Sequence, residues 1–170
     1  MPSLRDIRRR IASVKNTQQI TNAMKMVSAA KLQRAQERVG AARPYSEHLH
    51  QLIAQLDTRV QPGAHPLLTP REEGKTLLVV VTSDRGLCGG FNANVQRAAV
   101  ELVRQLGGTS AVDVIAIGKK GRDFLAYRRI DMRTAYTELF VRQVAYEQAR
   151  DLAARLLQAY EQEGYREVVV

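Results

Sequence analysis

The spacing of helix-forming and helix-breaking residues predicts one long helix at the start of the chain. No proline occurs between Pro2 and Pro44, and the stretch is rich in Ala, Gln, Lys, Arg, Met and Leu, with Gly40 as its one glycine. Ser3 stands where an N-cap belongs, and Asp6 follows three residues later, close to a capping box. At Pro44 the helix either kinks or ends, although a helical period of apolar residues resumes from Leu49 to Leu56.

Such a helix would be longer than the domain to which it is joined. At a rise of 1.5 Å per residue, about 54 residues extend roughly 80 Å, which exceeds the diameter of a domain of this size. Much of the helix must therefore project beyond any core that this chain builds alone, and the length predicts partners.

The apolar stripe of this helix changes side along its length. It begins at the a and d positions of a heptad with Leu4, Ile7, Ile11 and Val14. The same register then carries polar side chains, namely Gln18, Thr21, Lys25 and Ser28, whereas Ile20, Met24 and Val27 lie on roughly the opposite side. This pattern favours a helix that meets different surroundings along its length, with an ordinary surface helix as the open alternative.

The remainder of the chain alternates between buried strands and amphipathic helices. The predicted elements are a strand at 76–83, a helix at 91–108 capped near Asn92, a strand at 113–118, a short helix at 119–129, a helix at 141–164 and a third strand from Tyr165; residues 129–138 stay unassigned. The order predicts the α/β class: a long N-terminal coiled-coil helix followed by a Rossmann-like, mainly parallel open sheet with helices.

Composition divides the chain into three parts. The expected organisation is a shaft helix at 1–57, a linker rich in proline and glycine at 58–74 and an α/β domain at 75–170. The final residues Val168–Val170 read as the start of a buried strand. We therefore expect the chain to be part of a longer protein.

The positive charge belongs to the helix. Of the net charge of +9, residues 1–43 carry +8, from ten basic and two acidic side chains. Arg8, Arg9 and Arg10 lie in the first turns, where the helix dipole disfavours cations. This predicts an acidic partner surface. Nucleic acid is the alternative partner, but residues 1–44 contain no aromatic side chain for stacking on bases and no known binding motif.

Cysteine and histidine usage argues against a metal site and an internal disulfide framework. Cys88 is the single cysteine, and the three histidines lie at 48, 50 and 65. No apolar run approaches the roughly 18 residues of a membrane span, and the N-terminus lacks the apolar core of a secretory signal. We expect a cytosolic protein without a metal or cofactor.

The loop Ser83–Gly90 follows the first strand, where α/β proteins bind phosphate groups. Its sequence, SDRGLCGG, fits neither the Walker pattern nor G-x-G-x-x-G. Cys88 has no histidine in the α/β region to activate it. The favoured interpretation is a tight glycine turn with a buried or half-buried Cys88, in which Asp84 and Arg85 pair locally or face a partner.

Two motifs carry a family resemblance. The run NTQQITNAMKMVSAAKLQRAQ (Asn16–Gln36) and the run TSDRGLCGGFNAN (Thr82–Asn94) closely resemble the helix and strand–loop–helix motifs of the γ subunit of F-type ATP synthases of the bacterial type. RPYSEHL (Arg43–Leu49) fits the same family. The resemblance covers essentially all 170 residues.

The resemblance implies a central rotor stalk that couples proton flow through the membrane ring to ATP synthesis or hydrolysis at the β subunits. Catalysis would belong to β, so no catalytic site, cofactor, small-molecule ligand or nucleic acid is expected on this chain. The implied partners are the α and β subunits, the ε subunit, the ring of c subunits and the C-terminal part of the same γ chain. The implied location is peripheral, on the cytoplasmic face of the bacterial inner membrane.

The resemblance also implies roles for particular residues. Leu4, Ile7, Ile11 and Val14 would form the coiled-coil seam. The shaft and partner contacts would be Lys15, Gln18, Ile20, Thr21, Met24, Lys25, Val27 and Lys31. The family loop would comprise Asp84, Arg85, Gly86, Cys88, Gly89 and Gly90, near the acidic loop of β or the foot of the shaft. The family's C-terminal helix does not follow Val170 here, and a free-standing basic coiled-coil protein that binds nucleic acid or acts as a scaffold is the alternative.

Overall fold

A computed structural model of the chain describes residues 3–57, 59–61, 63, 65–139 and 145–170. The chain divides into two compact units, Met1–Gln61 and Pro62–Val170. The first unit consists mainly of helix α1 (Leu4–Asp57), which is 54 residues long.

Helix α1 begins at the predicted capping box. The Ser3 backbone N–H donates to Asp6 Oδ2 at 3.1 Å, and the Asp6 backbone N–H donates in return to Ser3 Oγ at 3.3 Å. The hydrogen bond from the Ser3 hydroxyl and that from its backbone lower the pKa of Asp6. The helix continues through Pro44, so the proline does not end it. Every side chain that is described in α1 is exposed.

The second unit is built on a sheet of four strands. They are β1 (Thr76–Val81), β2 (Val112–Ile117), β3 (Met132–Tyr136) and β4 (Glu167–Val169). The strand order is β3-β2-β1-β4, and all three neighbouring pairs are parallel. The α/β class with a parallel open sheet is therefore confirmed.

Helices cover both faces of the sheet and enclose two apolar cores. Between the strands lie α2 (Phe91–Gln105), α3 (Lys119–Tyr127) and α4 (Tyr146–Glu163). The first core joins one face to α2 and α3 and includes Leu78, Val80, Ala99, Val103, Val114 and Leu125. The second joins the other face to α4 and includes Leu77, Val79, Ile115, Ile117 and Ala159. Because α4 crosses the opposite face, β4 pairs with β1 on the side away from β2.

Strand β3 occupies the stretch that the sequence left unassigned. Its side chains alternate between half-buried and exposed along Met132–Tyr136, as befits a strand at the edge of the sheet. A register shift between Val114 and Ile115 interrupts its pairing with β2. Because the strand has only five residues and one half-buried face, its pattern in the sequence is weak.

Two helix starts differ from the sequence prediction. Helix α2 begins at Phe91 with Gly90 at the N-cap, so Asn92 is not its cap. Helix α4 begins at Tyr146, where the Ala145 backbone N–H donates to the Gln148 side chain at 3.1 Å. The predicted start at Val141 lies outside the described residues.

Candidate partner-contact surfaces

The predicted contact residues on α1 are all exposed. Ile20, Met24 and Val27 are 61%, 64% and 56% exposed, and more than two fifths of each seam residue, Leu4, Ile7, Ile11 and Val14, is exposed as well. The structure thus leaves both apolar groups uncovered on one helix. Thr21 differs in part, because its hydroxyl donates to the Thr17 carbonyl at 2.8 Å.

The basic side chains of α1 have no acidic partner in the part of the chain that the structure describes. Lys15, Lys25 and Lys31 belong to this group, and Gln18 lies among them on the exposed surface. The two acidic residues of the first 43 are engaged elsewhere: Asp6 bonds to Ser3, and Glu37 accepts from Gln33 at 3.0 Å. The helix therefore presents uncompensated positive charge together with apolar side chains.

The loop Ser83–Gly90 lies at the carboxyl end of β1, where the strand order reverses between β2 and β4. Asn92, in the first turn of α2, shapes the base of this loop. Its Oδ1 accepts from the Ser83 backbone N–H at 3.0 Å, and its Nδ2 donates to Ser83 Oγ at 2.8 Å and to Cys88 Sγ at 3.1 Å. Asn92, which the sequence suggested as a helix cap, therefore holds the base of this loop.

Asp84 and Arg85 differ in their bonding. Asp84 Oδ1 accepts from the backbone N–H of Lys119 at 2.8 Å and from that of Glu138 at 3.1 Å. Arg85 is exposed, and its guanidinium has no partner among the described residues. Asp84 therefore bonds within this chain to residues that follow the next two strands, whereas Arg85 is available to another molecule.

The tip of the loop is exposed. Leu87 is fully exposed and has a backbone φ of +61°. Gly89 also has a positive φ, and Gly86 and Gly90 complete the turn. Cys88 is exposed, so the expectation of a buried or half-buried cysteine is wrong. Its side chain lies on the outside because the loop projects from the sheet edge.

A charged cluster at the amino edge of the sheet could not be inferred from the sequence. The Tyr165 hydroxyl donates to Asp113 Oδ2 at 2.7 Å, and Lys75 Nζ lies 3.0 Å from Asp113 Oδ1. Arg133 donates to the Tyr165 hydroxyl at 2.9 Å and pairs with Glu163. Three of these residues lie at or next to the starts of β1, β2 and β3, and the other two lie at or just after the end of α4. Because they are up to 90 positions apart, no local motif could predict the cluster.

The cluster shifts the pKa of several members. Burial by itself would raise the pKa of Asp113, but the hydrogen bonds from Tyr165 and Lys75 and the charges of Lys75 and Arg133 outweigh it, and the pKa is lowered. The hydrogen bond from Arg133 lowers the pKa of Glu163. Burial, together with the bond to Asp113, raises the pKa of Tyr165.

Among the described residues, no group of three or more His, Cys, Asp and Glu side chains is arranged to hold a metal ion. No helix within the same described ranges has the length and apolar character that crossing a membrane requires.

Comparison with solved structures gives the class of protein. The chain is similar to a chain in the structure of the Tetrahymena thermophila mitochondrial ATP synthase central stalk and c-ring, with a TM-score of 0.64 and 25% identity over 86% of this chain and 61% of that chain. The long exposed helix and the parallel α/β unit thus share the fold of a chain from an ATP synthase central-stalk structure.

Comparison of sequences gives the family. The family model described as ATP synthase matches residues 3–170. The chain is 47% identical to the ATP synthase γ chain of Geobacter sp. (strain M21) over 100% of its own length and 59% of the relative. It is 46% identical to that of Chlorobaculum tepidum over 94% of its length and 56% of the relative. The chain belongs to the ATP synthase γ-chain family, which confirms the resemblance in the two motifs, and it spans less than two thirds of these relatives.

Proposed function

We propose that this chain forms part of the central rotor stalk of a proton-translocating F-type ATP synthase. In this role it couples proton flow through the membrane ring to ATP synthesis or hydrolysis at the β subunits, and it performs no catalysis itself. The observation that carries the proposal is the 54-residue helix α1, whose apolar and basic side chains are exposed without partners among the described residues. The family to which the chain belongs supplies the assembly in which they would be covered.

The apolar side chains of α1 favour burial against two different surfaces. Each large aliphatic side chain that is fully buried gains roughly 1.5–3 kcal/mol. The seam Leu4, Ile7, Ile11 and Val14 packs on the C-terminal helix of the same γ chain in a coiled coil. Ile20, Met24 and Val27, on roughly the other side of α1, face the α and β subunits that surround the shaft.

The basic side chains suit contact with an acidic surface that moves past them. Lys15, Lys25 and Lys31, with Gln18 and Thr21 between them, face the acidic loop of β. Charge pairing acts over several ångströms and steers partners without a deep interlock. The small side chains Ala23, Ser28, Ala29 and Ala30 keep this stretch smooth, which a bearing surface requires.

The α/β unit forms the foot of the stalk. It contacts the ε subunit and the c-subunit ring, and the family loop, comprising Asp84, Arg85, Gly86, Cys88, Gly89 and Gly90, lies near the acidic loop of β. These contacts hold the protein at the cytoplasmic face of the bacterial inner membrane as a peripheral subunit. The foot of the shaft is the alternative place for this loop, and in either place exposed Arg85 and Leu87 give it both a charge and an apolar group for a neighbour.

Co-purification tests the proposal. The natural full-length gene product carrying an affinity tag should bring down the α and β subunits of ATP synthase from its own organism, together with nucleotide-dependent ATPase activity. Recovery of nucleic acid in a salt-sensitive manner, without α and β, would instead favour the basic coiled-coil protein and would overturn the proposal.

A further inference from the structure

The carboxyl edge of the sheet contains a carboxylate that joins three chain connections. Asp84 belongs to the loop after β1. Through Oδ1 it accepts from Lys119, the first residue of α3 after β2, at 2.8 Å, and from Glu138, just after β3, at 3.1 Å. One oxygen atom thus links the ends of three neighbouring strands.

Both N–H groups need this acceptor. The N–H groups of the first helical turn have no partner within their own helix, and a negative charge there is also favoured by the helix dipole. Glu138 has a φ of +60°, a left-handed conformation that a residue with a side chain adopts at a cost. Charge-assisted hydrogen bonds are roughly twice as strong as neutral ones, so Asp84 holds both groups firmly.

The bonds next to Asp84 restrain the rest of the loop. The Lys120 N–H donates to the Ser83 carbonyl at 3.1 Å, so the residue before Asp84 is also tied to α3. Asn92 bonds to Ser83 and to Cys88, which ties the loop to α2. The loop therefore leaves the sheet from a base that is fixed on two sides.

The loop presents two exposed side chains, one apolar and one charged. Leu87 is fully exposed at φ +61°, and Arg85 is exposed without a partner among the described residues. A left-handed leucine that points into solvent costs conformational energy and gains no burial in this chain. Such a residue gains free energy only when another surface covers it.

We propose that Asp84 is a positioning residue, which sets the place of the Leu87 tip by fixing the base of its loop to α3 and to the end of β3. The inference rests on the proposed stalk function, because it requires a neighbouring subunit that the Leu87 tip contacts during rotation. Asp84 itself touches no partner; it acts through the loop.

The test compares variants of the full-length chain in the assembled, membrane-bound enzyme. Asp84→Ala removes the acceptor, whereas Asp84→Asn retains a carbonyl oxygen in the same place. Leu87→Ser removes the apolar tip from an exposed position. Asp123→Ala is the matched control, because it removes a carboxylate that lies on α3 but that, among the described residues, pairs with its neighbour Arg122 alone. The measured quantity is the ratio of the proton-pumping rate to the ATP hydrolysis rate, normalised to assembled enzyme.

We expect Asp84→Ala and Leu87→Ser each to lower this ratio by roughly fivefold, within the range for residues of one interacting network. The double variant should be no worse than the more severe single variant, because both changes remove the same contact. Asp84→Asn should restore most of the ratio, and Asp123→Ala should leave it unchanged.

Two results would overturn the inference: full coupling in assembled Asp84→Ala enzyme, or effects of Asp84→Ala and Leu87→Ser that multiply in the double variant. If Asp84→Ala prevents assembly, Asp84→Asn is compared with Leu87→Ser instead. A ratio as low in Asp84→Asn as in Leu87→Ser would then overturn the inference, because the asparagine retains an acceptor oxygen in the same place. Failure of the wild-type chain to assemble with α and β would overturn the stalk function itself, which separates the two failures.

Discussion

At the scale of single residues, Tyr165 is buried and yet bonds through its hydroxyl to two charged side chains. Only 4% of the residue is exposed, and its hydroxyl lies between the carboxylate of Asp113 and the guanidinium of Arg133. A buried hydroxyl must keep its hydrogen bonds, because an unsatisfied partner costs about 1–3 kcal/mol. Tyr165 therefore links the charges of the amino edge to the core beneath α4.

This cluster predicts a loss of stability at both ends of the pH range. The pKa of Asp113 is lowered in the folded chain, so its contribution is present above the ordinary value of about 3.9 and is lost as the pH falls below it. The pKa of Tyr165 is raised, so its contribution is present below about pH 10 and is lost as the pH rises above it.

Tyr165→Phe should lower the free energy of unfolding by about 1–2 kcal/mol at pH 7, because Asp113 and Arg133 each lose a hydrogen bond. It should also flatten the decline above pH 10, measured by denaturant unfolding at a series of pH values. Tyr127→Phe is the control, since Tyr127 is 83% exposed. An alkaline decline in Tyr165→Phe equal to that of the wild type would contradict this role.

At the scale of elements, the turn between β2 and α3 depends on a glycine. Gly118 has a φ of +96°, and its N–H donates to the Tyr136 carbonyl of β3 at 2.8 Å. A Cβ atom at this position would overlap the Thr82 carbonyl oxygen at the end of β1. The Thr82 hydroxyl in turn accepts from the Gly121 N–H at 2.8 Å, so the end of β1 and the first turn of α3 are packed without spare room.

Gly118→Ala should therefore destabilise the α/β unit by at least about 3 kcal/mol, from left-handed strain together with overpacking. Gly108→Ala is the matched control: Gly108 has a φ of +85°, but no atom lies within 4 Å of its Cβ position. That variant should lose only about 1–2 kcal/mol from strain. Equal losses in the two variants, measured by the midpoint of denaturant unfolding, would show that the overlap with Thr82 does not matter.

At the scale of the whole molecule, the proposed stalk function depends on which side of α1 meets the surrounding subunits. Met24 and Met26 are 64% and 68% exposed. Two residues apart on an α-helix, they point about 160° away from one another, by the geometry of 3.6 residues per turn. The same substitution at the two positions therefore probes different sides of one helix.

Met24→Lys should lower proton pumping per ATP hydrolysed by roughly fivefold, the effect of about 1 kcal/mol. The added cation would stand next to Lys25 in a surface that already carries uncompensated positive charge. Assembly with α and β should change much less, and Met26→Lys should have a smaller effect on coupling. Unchanged proton-driven ATP synthesis in Met24→Lys would count against the assigned contact.

Patterns among residues close in the sequence were sufficient to predict several of the helices and strands. Short runs rich in β-branched and other apolar residues specify buried strands, as in β1 and β2, and the helix formers with the Ser3–Asp6 box specify α1. These signals act between residues that are close in the chain. The same holds for the two motifs on which the family resemblance rested. Local pattern did not settle the course of the chain at Pro44, where a kink or an end was expected and the structure shows that α1 continues.

Other features of the fold depend on contacts between residues that are distant in the sequence. Edge strand β3 is specified by its pairing with β2, Asn92 bonds to Ser83 instead of capping α2, and the exposed Cys88 results from how the loop leaves the sheet. Asp84 illustrates the difference best: its sequence neighbours left open whether it pairs locally or faces a partner. Only the folding of β2 and β3 beside β1 brings the N–H groups of Lys119 and Glu138, 35 and 54 positions away, to its carboxylate.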